Sequence, residues 1–159
     1  MDYYDEIASG YDGLYGQEQE SKFLLIKRNI AIGKKTRILD VGCGTGISSS
    51  FECFVVGIDP SMELLRLNRK SMKLLGTAEQ LPFRNNAFDY VISVTSIHNF
   101  EDVQKSIDEM KRTCKENFIL SILKKSKNFG LIKGMIEKNF HVYKCIEDGK
   151  DAIFFCKKP

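Results

Sequence analysis

The ten residues from Arg37 to Gly46, RILDVGCGTG, constrain the fold of this chain more than any other stretch. Ile38, Leu39 and Val41 read as a buried strand that ends in an acid, Asp40, and opens into a loop with glycine at every second position. Thirteen residues beyond Gly46, a second apolar run, FVVGID, also ends in an acid, Asp59. A strand, a glycine turn, a short crossover and a strand ending in a carboxylate build the nucleoside-binding half of a doubly wound parallel sheet. Glycine suits a loop whose backbone must pass close to a ligand, because a Cβ would fill that space. The second acid is placed to accept both hydroxyls of a ribose.

Spacing narrows the ligand. The dinucleotide pattern G-x-G-x-x-G would need glycine at 42, 44 and 47, but position 47 is isoleucine and the third glycine is Gly46. Arg37 to Asp59 is 23 residues, against roughly 30 for an ordinary βαβ unit. Only Ile47 to Glu52 remain for a connecting helix, roughly 9 Å of axis. So short a helix seats a pyrophosphate poorly, whereas an amino-acid carboxylate beside a nucleoside asks less of it. A nicotinamide dinucleotide is the competing occupant. The stretch resembles motif I of the class I S-adenosylmethionine-dependent methyltransferases, an acid followed by G-x-G-x-G.

GTAEQLPFRNNAFDYVISVTSIHNF, Gly76 to Phe100, is similar to the corresponding segment of methyltransferases of the ubiquinone/menaquinone-biosynthesis type, the methyltransferase type 11 group. YYDEIASGYDGLYG near the start resembles the opening helix of that group. The resemblance implies a Rossmann-like, three-layer α/β fold with a mostly parallel seven-stranded sheet whose last strand is reversed. It implies one domain over 1–159, with a helical cap at 1–31 and a sheet core at 36–159. It implies S-adenosyl-L-methionine as cofactor and S-adenosyl-L-homocysteine as product. The implied cofactor contacts are Tyr11, Asp40, Gly42, Cys43, Gly44, Asp59, Pro60, Thr77, Ala78, Glu79 and Ser93, with Tyr4 a weaker match to the closing tyrosine. Asp40 is expected to hold the amino-acid end, Thr77 to Glu79 to cover the adenine, and Ser93 to end the fourth strand beside the methyl.

Departures from the group matter. Thr77 stands where an acid commonly meets the adenine amino group, and Asn99 replaces the second histidine of a usual pair. The fourth strand runs out through Ser93, Val94, Thr95 and Ser96, without the N-P-P-Y tetrad that holds a planar nitrogen. Cys43 reads as a small filler of the glycine loop. His98 is the histidine placed after the fourth strand to take a proton from the acceptor; its alternative is a polar residue capping the next helix or packing under the lid.

Charge and cysteines bound the remaining classes. Residues 1–21 hold six acids and no Lys or Arg, while 104–159 hold thirteen Lys/Arg and seven Asp/Glu, within a net charge of +3. Lys124, Lys125 and Lys127 follow the fifth strand and are expected at the rim of the active face, where they would suit an anionic acceptor or act as ordinary solvated lysines. The five cysteines lack C-x-x-C or histidine pairing, which points to reduced thiols in a cytoplasm and to no metal site. No leader and no long apolar run is evident, so no membrane association is expected.

Periodicity places the other elements. Helices are expected over 17–31, from a cap at Ser61 to about Lys70, along Val103, Ile107, Met110 and Cys114, and over 129–138. Strands are expected at 72–75, 118–123, 141–146 and 152–156, the last two as a hairpin around Asp148-Gly149. Only Lys124 to Asn139 separate the fifth and sixth strands, which leaves no room there for a substrate lid. The functional expectation is methyl transfer to a small molecule. Its alternatives are a tRNA-modifying enzyme completed by a small activating subunit, and a non-catalytic S-adenosylmethionine-binding regulatory module.

Overall fold

The computed structural model describes residues 11–69 and 72–159. Helix α1 (Tyr11–Asn29) precedes β1 (Arg37–Val41), a 3-10 turn (Ile47–Ser49), β2 (Phe54–Asp59), α2 (Met62–Leu67) and β3 (Met72–Leu75). Then follow β4 (Phe88–Ser93), a second 3-10 turn (Ile97–Asn99), α3 (Val103–Thr113), β5 (Cys114–Leu123), α4 (Phe129–Asn139), β6 (His141–Asp148) and β7 (Asp151–Lys157). The strands lie in the order β3-β2-β1-β4-β5-β7-β6. β1 to β5 are parallel, and β7 runs antiparallel between β5 and β6. The order reverses between β1 and β4, the switch point where such sheets open a crevice at their carboxyl ends.

Both faces of the sheet are covered, so its central strands are apolar throughout rather than alternating. On one face Phe23 and Ile26 of α1 pack over Ile38, Ile92, Ile119 and Phe155. On the other, Ile107 and Met110 of α3 with Ile132 and Ile136 of α4 pack over Leu39, Val91, Phe118 and Phe154. Burying each such side chain contributes about 1.5–3 kcal/mol. Among the described residues no helix is long and apolar enough to cross a membrane.

Three elements depart from the sequence expectation. The crossover after β1 is a 3-10 turn of three residues instead of a helix reaching Glu52. Gly46 before it is left-handed (φ 87°), and the hydroxyls of Ser48 and Ser49 donate to Asp40 Oδ2 at 2.8 and 2.5 Å. Serines that bond elsewhere withdraw support from a helix. Helix α1 begins at Tyr11 rather than 17 and ends at Asn29, whose Nδ2 donates to Leu25 O at 2.8 Å. Cys114, expected as the last apolar position of α3, instead opens β5, because helix and strand join without a loop.

The β3-to-β4 connection, 76–87, contains no helix. It is held by α3 instead. Arg112 donates to Phe83 O at 2.7 Å and to Leu81 O at 2.9 Å, and Leu81 N donates to Glu109 Oε2 at 2.8 Å. Two side chains one helical turn apart thereby fix a long irregular segment against the sheet.

Candidate functional site

A cleft opens at the carboxyl edge between β1 and β4. Gly42 and Gly44 form one wall, Asp59, Pro60 and Ser61 a second, and Thr95, Ser96 and Asn99 a third, with Leu64 and Phe100 as apolar surfaces. The two glycines differ in what requires them. A Cβ on Gly42 (φ 76°) would stand 2.5 Å from Ser96 Cβ, so this glycine lets the end of β4 approach the loop. Ser96 Oγ closes that contact by donating to Gly42 O at 3.0 Å. At Gly44 (φ 50°) the nearest atom to a Cβ is Leu64 Cδ1, 3.7 Å away, so that position faces the cleft.

Asp59 clamps this wall. Gly44 N donates to its Oδ2 and Ser61 N to its Oδ1, each at 2.8 Å. Ser61 Oγ then accepts from Leu64 N at 3.2 Å, capping α2 as its position in the sequence predicts. Gly42 N and Cys43 N both donate to Ile58 O, at 2.8 and 3.1 Å. The loop is therefore tied to the end of β2 through three consecutive amides.

Asp40 lies behind the loop, fully buried. Both serine hydroxyls bond its Oδ2, while Oδ1 is buried with no hydrogen-bond partner among the described residues. Burial pushes its carboxyl up to about 6, against the opposing pull of the Ser49 and Ser48 hydroxyls. Cys43 is buried beside it, and burial, reinforced by the charges of Asp40 and Asp59, drives its thiol far above the usual range. It is a protonated filler, unsuited to nucleophilic attack.

The β4 wall is strained. Thr95 adopts a left-handed conformation (φ 55°), costly for a β-branched residue. A buried network holds it there. Thr95 N donates to Ser121 Oγ at 2.7 Å, its hydroxyl donates to Asp151 Oδ2 at 2.9 Å, and Lys22 Nζ donates to Thr95 Oγ1 at 2.7 Å. Lys22 and Asp151 are themselves in direct ion-pair contact. Asp151 Oδ1, Ser93 Oγ and His98 Nδ1 are buried without partners among the described residues.

The sequence of Leu39 to Ile122 matches the methyltransferase domain family, type 11. The chain belongs to this family. An uncharacterized protein of Methanocaldococcus jannaschii, MJ1252, is 30% identical over 148 residues, covering 87% of this chain and 57% of its own length. The demethylmenaquinone methyltransferase of Staphylococcus aureus is 31% identical over 117 residues, covering 64% of this chain and 48% of that protein. The chain thus spans about half the length of these relatives. Among solved structures, a complex between the Haloferax volcanii Trm112 methyltransferase activator and a putative methyltransferase aligns at a TM-score of 0.84. That alignment covers 100% of this chain and 99% of that one at 15% identity, a likeness of fold.

Four residues singled out in the sequence of this methyltransferase-domain chain meet in the cleft: Gly42, Gly44, Asp59 and Pro60. Asp40, Cys43, Thr77, Ala78, Glu79, Ser93 and His98 do not line it. Tyr11 opens α1, but its side chain lies outside what is described, and Tyr4 lies outside the described residues altogether. Glu79 turns its carboxylate to the amides of Glu101 and Asp102, at 2.9 and 3.2 Å, where it organises the approach to α3. Lys124 meets Glu147 and Lys150 meets Glu18, so the basic residues near this edge are interleaved with acids. Thr95, Ser96, Asn99 and Phe100 also line the cleft, though none is among the expected cofactor contacts. Thr95 and Ser96 carry a signal in the sequence as the exit of the fourth strand, and Asn99 as the replacement of a histidine.

Proposed function

We propose that this chain binds S-adenosylmethionine in the cleft between β1 and β4 and transfers its methyl group to an acceptor, a small molecule being the favoured class. The observation that carries the reading is the glycine loop clamped by Asp59 at the sheet's switch point, with the unpartnered Asp40 oxygen behind it. The residues present fit the cofactor. Asp59 would hold the ribose alongside the main-chain amides, Gly42 and Gly44 would admit the ligand against their backbone, and Asp40, buried behind the loop, would act on the cationic amino-acid end through water. When bound, the sulfonium makes its methyl carbon electrophilic.

The chain's own residues then orient the acceptor and exclude water. Leu64 and Phe100 supply apolar walls for that purpose. His98 stands outside the cleft lining, next to Asn99 and Phe100 that form it; burial lowers its pKa, which leaves a neutral imidazole able to take a proton from an acceptor that reaches it. Calorimetry with S-adenosylmethionine and with a nicotinamide dinucleotide tests the cofactor: preference for the dinucleotide ends this reading.

A second reading, a tRNA-modifying enzyme that needs a small activating subunit, is supported by the end-to-end likeness to the Haloferax volcanii protein described with the Trm112 activator. The β5–β6 connection also holds only a turn and α4, with no lid to enclose a small acceptor. Methyl-labelled S-adenosylmethionine incubated with cell extract, with and without ribonuclease, separates the two. Label in small molecules supports the first and ribonuclease-sensitive label the second.

A further inference from the structure

β3 lies at one end of the strand order, and all four of its residues are exposed, Met72 at 62%, Leu74 at 41% and Leu75 at 55%. Its register with β2 places Met72 beside Val56 and Leu74 beside Ile58. Paired residues of neighbouring strands share a face. Met72 and Leu74 therefore extend the apolar row of β2, which starts at Phe54, itself 46% exposed. Further along the sheet, α3 and α4 cover this face. Here the β3-to-β4 connection carries no helix: Val56 and Ile58 are buried with Ala78 and Leu81 of that connection, but Phe54, Met72 and Leu74 stay exposed.

An edge strand usually discourages pairing with another chain by shortness, proline, a bulge or charge, and of these β3 keeps shortness, at four residues. β3 has no proline, its register with β2 is unbroken, and its single charge, Lys73, is turned back to the Asn68 carbonyl. Among the described residues no strand pairs with the outer edge of β3, and a row of main-chain donors and acceptors beside an apolar strip is the surface that strand addition uses.

Charge selects the occupant. Among the described residues from Met62 to Leu75 stand Arg66, Arg69 and Lys73 against Glu63, three cations less one acid, or +2. Pairing β3 with β3 of a second copy would set +2 against +2 within about 8 Å, the screening length at physiological salt. An acidic partner gains from the same charges.

We propose that the β3 edge and the strip Phe54–Met72–Leu74 dock a separate protein subunit that adds a strand to the sheet and carries acidic side chains beside it. This concerns the surface and not the acceptor, and its test contains no methyl transfer, so it fails independently of the readings above.

The probe is a fluorescent peptide of about eight residues alternating valine and glutamate, long enough to match an edge strand. One control carries methylated nitrogens at alternate residues, and the other carries lysine in place of glutamate. With the full chain, the valine–glutamate peptide is expected to bind at least about tenfold tighter than either control and to slow deuterium exchange of the Lys73 to Leu75 amides. Leu74→Ser weakens it by roughly fivefold, the loss of one partly buried side chain, without a change in S-adenosylmethionine affinity. Equal binding of the three peptides overturns the proposal. So does a chain that is dimeric by itself with β3 amides already slow, which assigns the edge to a second copy. Peptide binding that appears only after residues 1–10 are deleted assigns it to the chain's own first residues, and likewise overturns it.

Discussion

The Thr95 hydroxyl donates to Asp151 Oδ2 at 2.9 Å and joins the end of β4 to the first residue of β7, 56 positions later. Lys22 of α1 closes the triangle by contacting both. Three elements that meet nowhere else in sequence thus hold one residue in a conformation it would not adopt alone, at a cost of about 1–3 kcal/mol. Thr95 lines the cleft. The closing hairpin therefore shapes one wall of the cleft proposed to bind the cofactor.

Asp151→Ala leaves Lys22 buried without its counter-ion, since both side chains are almost fully enclosed. The expected loss is about 3–5 kcal/mol, read in thermal unfolding as a fall of roughly 10 °C. Replacing the pair together, Lys22→Met with Asp151→Leu, removes the stranded charge and restores most of that stability. It does not restore the hydrogen bonds on Thr95. Cofactor affinity, measured by calorimetry, is expected to stay reduced in the double variant while the melting temperature recovers.

Asp59 has two main-chain amides to satisfy, from Gly44 and Ser61. In Asp59→Asn one of them faces an NH2 group, a mismatch costing about 1–3 kcal/mol. In Asp59→Ala both lose their acceptor. Asp59→Ala is expected to remain folded with a lower melting temperature and to bind S-adenosylmethionine more than about tenfold more weakly, roughly 1.4 kcal/mol or more. Unchanged affinity would show that the ribose is held elsewhere and that Asp59 only shapes the loop.

Where local chemistry decides a structure, the sequence was readable. The hydrophobic runs and terminal acids of β1 and β2, the Ser61 cap and the Asp148-Gly149 turn lie where their residues indicate, and β3 spans Met72–Leu75 as expected. Long-range choices were opaque. Nothing near Gly42 announces that Ser96, 54 residues away, fills the space beside it. Lys22 and Asp151 are separated by 129 positions, and each alone reads as a surface charge. Glu79 was legible as part of a motif, but its partners, the Glu101 and Asp102 amides, depend on how α3 docks. The short crossover was read correctly in length and wrongly in kind, because the pull of Asp40 on Ser48 and Ser49 is a tertiary effect.

Asp40 makes the stability of the ligand-free protein depend on pH. Its carboxyl rises from 3.8 to about 6 on folding, chiefly through burial. Between these values the folded chain retains a proton that the unfolded chain has released, so stability declines as pH rises through that window. The decline amounts to about 3 kcal/mol and is complete above pH ~6. Asp40→Asn is expected to flatten it in urea unfolding measured from pH ~4 to ~7. A cation brought beside the unpartnered Oδ1 favours the carboxylate, so cofactor binding near pH ~6 should release a proton. Calorimetry in buffers of different ionisation enthalpy detects that proton, and Asp40→Asn should abolish it.

His98 is governed by its burial and by two charged neighbours of opposite effect. Burial lowers its pKa from 6.5, the Asp151 carboxylate opposes that, and the Lys22 ammonium adds to it. The imidazole is therefore neutral at pH ~7, the form able to accept a proton. If it does so from the acceptor, the methyl-transfer rate falls only when pH drops below the ordinary histidine range. His98→Gln then slows transfer by about 10²–10⁴-fold and removes that acid limb. An acceptor that arrives already deprotonated leaves the rate of His98→Gln unchanged, which takes His98 out of the chemistry. Stability moves with the same group: as pH falls below 6.5 the unfolded chain binds the proton first, so the folded state loses stability until His98 itself titrates. Removing the opposing carboxylate with Asp151→Asn should push the His98 pKa lower still and move the acid limb to lower pH. An acid limb that stays in place in Asp151→Asn would mean that the limb belongs to another group.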